Sequence, residues 1–430
     1  MARYPLIVLL SFMVLAIPFV AIQGAAASPE ATTSVQSVAV QGNVSGCHIA
    51  VDLNGNAHLC YFNEDDGKLM YATNAGGEWA IQTIADRGEA GRDCSIAVDS
   101  NGIAHVSFVG NINDGYGDLI YAAERNGSWE SRVIDPGYVL GSTSIAIDPK
   151  DRVCISYHTG HEASNDDLMY ATNADGKWST EVVDTGISGY YNALAVDLNG
   201  NAHILSYAGI GGMPLKYSTN AGGSWSTQNV EDSVWIGSYC SIATDSLGRP
   251  HAAISTSDKI GQVDLKHVLL SESSWEPQAI ESGGYVWSNS IAVDGNEAVH
   301  IAYRSATDGS LKYATNAGGE WTTRTIDNTA ASSACASIAV DREGNVHMCY
   351  IATDASGDHL RYAEVKQTKA AETSTATEQA ADPAVTEEGA TFDSPSTTSA
   401  HPLIGGLEMA GLAVIATAGA ILILKRRLGP

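Results

Sequence analysis

From about residue 47 to residue 365 the apolar positions fall in short runs rich in Val, Ile and Tyr, divided by Asn, Asp, Gly and Ser. Apolar spacing at three and four residues is absent there, so the runs predict β-strands joined by turns rather than helices. The pattern is periodic. Ile49-Ala50-Val51-Asp52 returns in close variants that end at Asp99, Asp148, Asp197, Asp245, Asp294 and Asp341, at successive spacings of 47, 49, 49, 48, 49 and 47 residues. A short unit of this kind cannot bury its faces alone, and stacking on its neighbours gives it a core.

The second unit shows the layout. Ser95 to Asp99, Ala104 to Phe108, Asp118 to Tyr121 and the stretch after Trp129 predict four strands, with Asn101-Gly102 and Asn126-Gly127 as turns. Four short antiparallel strands repeated around a ring make an all-β fold, a seven-bladed β-propeller over residues 28–365. The seventh unit stops after three strands at His359 to Val365, while Val35 to Val40 is an orphan strand ahead of the first unit. The N-terminal strand is therefore expected to complete the last blade and hide its open edge.

The hairpin between third and fourth strands, Ser218-Thr219-Asn220-Ala221-Gly222-Gly223-Ser224-Trp225, resembles the Asp-box of sialidase-like and BNR-repeat propellers, with Asn in place of Asp. Weaker copies end at Trp79, Trp129, Trp178, Trp275 and Trp321. The resemblance implies a structural hairpin whose tryptophan packs between sheets. It also implies a hydrolase as one possible activity, but sialidases need an arginine triad, a tyrosine nucleophile with its glutamate, an acid aspartate and an early Arg-Ile-Pro, and none can be placed. Val35 to Asp52 holds no arginine. A divergent sialidase-like glycoside hydrolase or lyase is thus the alternative, and the balance leans away from an enzyme.

Other repeated residues read as scaffold. A histidine follows the anchoring aspartate by six positions at His58, His105, His203, His251, His300 and His347, with Cys154 in the third unit. Copies spread around a ring cannot converge on one metal, so hydrogen-bonded core histidines are expected. The Asp-x-Asn-Gly stretches, such as Asp52 to Gly55, lack the later glutamate of a calcium loop and predict Asx-turns.

The ends give the chain a place. Residues 1–27 carry one arginine, an apolar run and an Ala25-Ala26-Ala27 exit, as a secretory signal does. Residues 366–402 are rich in Ala, Thr, Ser, Glu and Pro and predict a disordered stalk. Residues 403–424 are apolar with one charge, Glu408, and are followed at 425–430 by a short basic tail opening Lys425-Arg426-Arg427, which predicts a transmembrane helix with a cytoplasmic end. The order of these segments is similar to archaeal surface-protein sorting tails, although their Pro-Gly-Phe type tripeptide is absent. A propeller held at the cell surface as a single-pass membrane protein follows. A formal charge of −26 argues against a nucleic-acid partner. Seven cysteines cannot all pair; packing explains them, and Cys47 with Cys335 or Cys60 with Cys349 would staple the ring.

Function is expected where the repeats differ. The loops entering blades three to six carry Tyr138, Tyr190, Tyr191, Trp235, Tyr239, Tyr285 and Trp287, whereas those entering the other blades carry no such rings. Flat rings with polar tips suit sugars or a protein surface, so an extracellular glycan or a surface protein is the expected partner. The neighbouring loop holds His158, His161, Glu162 and Asp166. These could take a divalent cation such as calcium; a solvated acidic loop is the other reading of the same residues, and no cofactor is fixed by the sequence.

Overall fold

The computed structural model describes residues 31–367 apart from 39–41, 87–92, 114, 161–165, 187, 210–213, 232–234, 260–261, 272–273, 285, 306, 330–334 and 355–356. The expected signal segment at 1–27, the expected stalk at 366–402 beyond Gln367 and the expected span at 403–424 lie outside these residues. Among the described residues the regular elements are all strands, and no helix is long and apolar enough to cross a membrane.

The N-terminal strand is β1 (Thr32–Ser37). One four-stranded sheet follows as β2 (Val44–Val51), β3 (Ala57–Asn63), β4 (Lys68–Thr73) and β5 (Ala80–Ala85). The next sheet has seven strands: β6 (Cys94–Val98), β7 (Ala104–Asn113), β8 (Tyr116–Arg125), β9 (Ser128–Ile147), β10 (Val153–Gly160), β11 (Asp166–Thr172) and β12 (Ser179–Asp184). Three four-stranded sheets come after it. They are β13 (Tyr190–Val196), β14 (Ala202–Tyr207), β15 (Leu215–Thr219), β16 (Ser226–Glu231); β17 (Trp235–Thr244), β18 (Pro250–Lys259), β19 (Gln262–Ser271), β20 (Ser274–Gly284); and β21 (Val286–Val293), β22 (Val299–Ser305), β23 (Leu311–Thr315), β24 (Thr322–Asp327). The last sheet is β25 (Ala336–Val340), β26 (Val346–Asp354) and β27 (Gly357–Lys366), with β1 at its edge.

The fold is an all-β propeller, but the expectation of seven separate blades needs correction. Five four-stranded blades stand apart, and the second and third repeats share one seven-stranded sheet. The cause is β9. It runs on through the stretch around Tyr138, pairing with β8 up to Val139 and with β10 from Val139 onward. Gly137 and Gly141, at φ 97° and 132°, let the chain turn there without ending the strand.

Ring closure uses β1, which lies antiparallel to β27 with Thr32 opposite Lys366 and Ser37 opposite Arg361. It is displaced toward the N-terminus from the expected Val35 to Val40. A Cys47–Cys335 disulfide, with Cα atoms 6.1 Å apart, joins the first repeat to the last across 288 residues. Cys60 does not meet Cys349 in a bond; its sulfur lies against Cys94.

Packing between sheets supplies the core. Second strands are buried on both faces, as in β3, β10 and β22, because each sheet is covered by two neighbours. One repeated chain of contacts crosses these seams. Asp52 Oδ1 accepts the backbone N–H groups of Asn54 and Asn56, and Oδ2 faces His58 Nε2 at 3.5 Å. His58 Nδ1 shares a 2.6 Å hydrogen bond with the Tyr71 hydroxyl, and Trp129 of the next repeat meets Tyr71 edge-on at 5.0 Å. The same histidine–tyrosine bond recurs at His105, His203, His300 and His347. His267 replaces the tyrosine for His251, and in the third repeat the Tyr170 hydroxyl donates to Cys154. These histidines are scaffold.

Candidate functional site

The first strands of the repeats surround a central cavity of about 520 Å³, lined by residues from all seven repeats. Four residues before each anchoring aspartate the chain places Ser95, Ser144, Ser241, Ser290 and Ser337, with His48 and Ala193 in the remaining two repeats. Four of these hydroxyls accept a backbone N–H from the next repeat: Ser95 from Ile145, Ser144 from Leu194, Ser290 from Ile338 and Ser337 from Ile49, at 3.1 to 3.3 Å. Accepting that N–H leaves each hydroxyl its own hydrogen to donate. Ser241 instead donates to Asn289 Oδ1. His48 breaks the ring of serines and is exposed to the cavity, while the surrounding wall lowers its pKa below the usual imidazole value and favours the neutral ring.

The second to fourth repeats carry several tyrosines near the start of their strands, and one of them reaches this cavity. Tyr191 lines the cavity and is 38% exposed, and its N–H donates to Ser142 Oγ. Tyr138 is 50% exposed and meets the Tyr116 ring edge-on at 6.1 Å. Tyr190 is half-buried and stacks obliquely on His158 at 4.2 Å; its hydroxyl donates to Asp166 Oδ2 at 2.6 Å. That bond pushes the Tyr190 pKa up to about 12, with burial and the Asp166 charge adding to it. Burial lowers the pKa of His158 against the opposing pull of Asp166.

Several expected positions change character. Tyr138, Tyr190, Tyr191, Trp235, Tyr239 and Trp287 lie on strands β9, β13, β17 and β21 rather than in loops, because the first strands begin earlier than the Ile-Ala-Val-Asp motif alone implies. The side chains of Trp235, Tyr239 and Trp287, and the whole of Tyr285, lie outside the described residues. Of the expected metal set, His158 is a buried strand residue, 3% exposed, with Nε2 3.8 Å from Asp166 Oδ2; it does not sit on a solvated loop. His161 and Glu162 lie outside the described residues. Among the described residues no group of three or more His, Cys, Asp or Glu side chains is placed to hold a metal ion.

Two contributors were not singled out by sequence reasoning. Tyr116 precedes its strand's repeated core and reaches Tyr138 only through the long pairing of β8 with β9. His48 did carry a signal, since it departs from serine at a position aligned in five repeats.

No protein-family model matches the chain, and no curated protein does. The likeness of Ser218 to Trp225 to an Asp-box therefore remains one of sequence pattern. Solved structures do match. The polysaccharide lyase Uly1 aligns with 77% of this chain and 91% of its own at 10% identity, with a TM-score of 0.52. A polysaccharide lyase of family PL25, an ulvan lyase bound to a GlcA(1-4)Rha3S unit, aligns with 76% of this chain and 95% of its own at 13% identity and TM-score 0.51. The fucose-recognising lectin of Aleuria aurantia, a six-bladed propeller, covers 69% and 99% at 12% identity and TM-score 0.43. The two lyases share the propeller fold with this chain, and at these identities the likeness is one of fold alone.

Proposed function

We propose that this chain is a cell-surface recognition module that binds a glycan through the tyrosine patch and channel mouth on one face of its propeller. The observation that carries this is the exposure of Tyr138 and Tyr191, at 50% and 38%, beside Tyr116, Tyr190 and a hydroxyl-lined cavity. Tyrosine rings present apolar faces for the C–H side of a sugar and polar tips for its hydroxyls, at small entropic cost. The cavity, at about 520 Å³, is of the size that small-ligand sites have. The serine hydroxyls that line it offer donors, as sugar oxygens require.

The rest of the chain suits this role. Residues 1–27 would direct export, 366–402 would form a stalk, and 403–424 with Lys425-Arg426-Arg427 would anchor the propeller outside the membrane. The formal charge of −26 would keep it soluble and turn away polyanions.

A glycan array probed with residues 28–367 tests the assignment. Binding of a defined glycan subset is expected, and Tyr138→Ala and Tyr191→Ala should each weaken it about tenfold, equivalent to about 1.4 kcal/mol for one stacked ring. Binding unchanged by both substitutions would place the site elsewhere. Cleavage of a bound polysaccharide would replace the binding role with that of a lyase or hydrolase.

A further inference from the structure

We infer that Cys60 and Cys94 form a second disulfide, joining the first repeat to the second as Cys47–Cys335 joins the last to the first. Cys60 lies on β3 and Cys94 opens β6, and their sulfurs are 2.8 Å apart. That is too close for two unbonded sulfurs at rest and within about 1 Å of the ~2.05 Å of a covalent S–S bond.

The surroundings point the same way. Both residues are buried, at 0% and 2% exposure, in an apolar cluster with Leu69, Ile96 and Phe108. Such a site gives a thiol few polar partners, and an S–H donor bonds only weakly. A disulfide removes both S–H groups and fits an apolar core. The site also adjoins an existing disulfide: Cys94 Sγ lies 3.8 Å from the carbonyl of Gly46, which precedes the bonded Cys47.

The chemistry requires a disulfide oxidant, either an oxidised dithiol exchange protein or a small-molecule disulfide. The Cys94 thiolate attacks one oxidant sulfur, breaks the oxidant's S–S bond and expels a thiolate. Cys60, deprotonated in turn, attacks the Cys94 sulfur of the mixed disulfide and expels the second thiolate. Two electrons pass to the oxidant, which leaves as two thiols once it has taken up the two protons released. Because both cysteines are enclosed in the finished fold, the exchange belongs to the period before the first two repeats close on each other. With the bond made, Cys335, Cys47, Cys60 and Cys94 staple three successive repeats at the seam where the ring closes.

Thiol counting on the full chain tests this. Protein purified without reductant, in which the Cys47–Cys335 peptide pair is intact, is unfolded in guanidinium, treated with N-ethylmaleimide and digested. Labelling of Cys154, Cys240 and Cys349 alone, with a Cys60–Cys94 linked peptide, is the expected result. Labelling of Cys60 and Cys94 as well, or a peptide linking Cys60 to Cys349, overturns the assignment.

Discussion

The Tyr190 hydroxyl donates to Asp166 Oδ2 at 2.6 Å, and the same oxygen faces the buried Nε2 of His158 at 3.8 Å. This one carboxylate fixes the edge of the proposed glycan platform, because it holds the ring that stacks on His158.

The same geometry bears on metal binding. A cation using Asp166 and His158 would have to displace the tyrosine hydroxyl from the oxygen it occupies. Millimolar calcium or zinc should therefore leave the melting temperature of the wild type unchanged, while Tyr190→Phe, which releases that oxygen, should gain any metal response there is. A metal-dependent rise in the wild type that Asp166→Asn abolishes would revive the cation site. Scanning calorimetry on both proteins decides it.

The anchoring aspartates should be the most costly polar positions to lose. Asp197 Oδ1 accepts N–H groups from Asn199 and Asn201 at 2.9 and 2.8 Å, and Oδ2 accepts Asn201 Nδ2 and faces His203. Its removal in Asp197→Ala strands donors in a turn that water reaches only in part, which costs about 1–3 kcal/mol in urea unfolding. Asp197→Asn keeps the shape and one acceptor oxygen and should recover part of that loss. Equal losses in the two variants would mean that charge, rather than turn geometry, is what the aspartate contributes.

That turn also shows how far the sequence could be read. The Ile-Ala-Val-Asp period and its Asx-turn residues are local, so Asp52 to Gly55 already implied a turn, and His58 a buried partner that proved to be Tyr71. Propeller architecture followed from repetition alone. What was not legible depended on distant register. Nothing near Tyr138 announces that β9 runs through it, since the residues that keep it extended are partners on β8 and β10. Likewise the Tyr190–Asp166 bond joins residues 24 positions apart, across strands that no motif links. His158 looked like a loop residue because His161, Glu162 and Asp166 surround it in sequence, yet its own side chain follows the buried pattern of β10.

Stability should fall on mild acidification. Burial lowers the pKa of His58, His105, His203, His251 and His267 below the usual 6.5 against the opposing pull of the anchoring aspartates where these are adjacent. An imidazole whose folded pKa is depressed binds its proton more readily in the unfolded chain. Its stabilising contribution is complete above about pH 6.5 and is lost progressively as pH falls from there toward the folded pKa. The anchoring carboxyls behave in sequence after this. Burial raises them, but hydrogen bonds such as those from Asn201 and Asn199 to Asp197 outweigh it and hold them below 3.8, so their contribution is complete above about pH 4 and is lost as pH falls from there through the lower folded value. Thermal melts in high salt, which screens the acidic surface, should show a plateau near pH 8, a first decline below pH 6.5 and a steeper one below pH 4. A melting temperature that rises between pH 7 and pH 5 in high salt would remove the histidine account.

Two turns of the ring carry a side chain where the others use glycine, and they should respond differently to glycine substitution. The residue three after the anchoring aspartate is Gly55, Gly102, Gly200, Gly248 or Gly344 in five repeats, all at φ between 76° and 85°, but Asp151 and Glu297 hold the same place at φ 58° and 66°. A residue with a Cβ is strained in this region by about 1 kcal/mol. Asp151 offsets the strain, because its carboxylate accepts the Ser100 N–H at 2.9 Å and the Ser100 hydroxyl at 2.6 Å, tying the third repeat to the second. The Glu297 carboxylate makes a longer contact, 3.4 Å, with the Ser246 N–H. Glu297→Gly should therefore stabilise the propeller by about 0.5–1 kcal/mol, while Asp151→Gly should be neutral or destabilising by about the same amount, since relief of strain and loss of the Ser100 bonds oppose each other. Urea unfolding of the two single variants and the double variant measures both effects, and additivity is expected because the two turns belong to different seams of the ring. Destabilisation by Glu297→Gly would show that the glutamate's contact across the seam outweighs the strain it sits in.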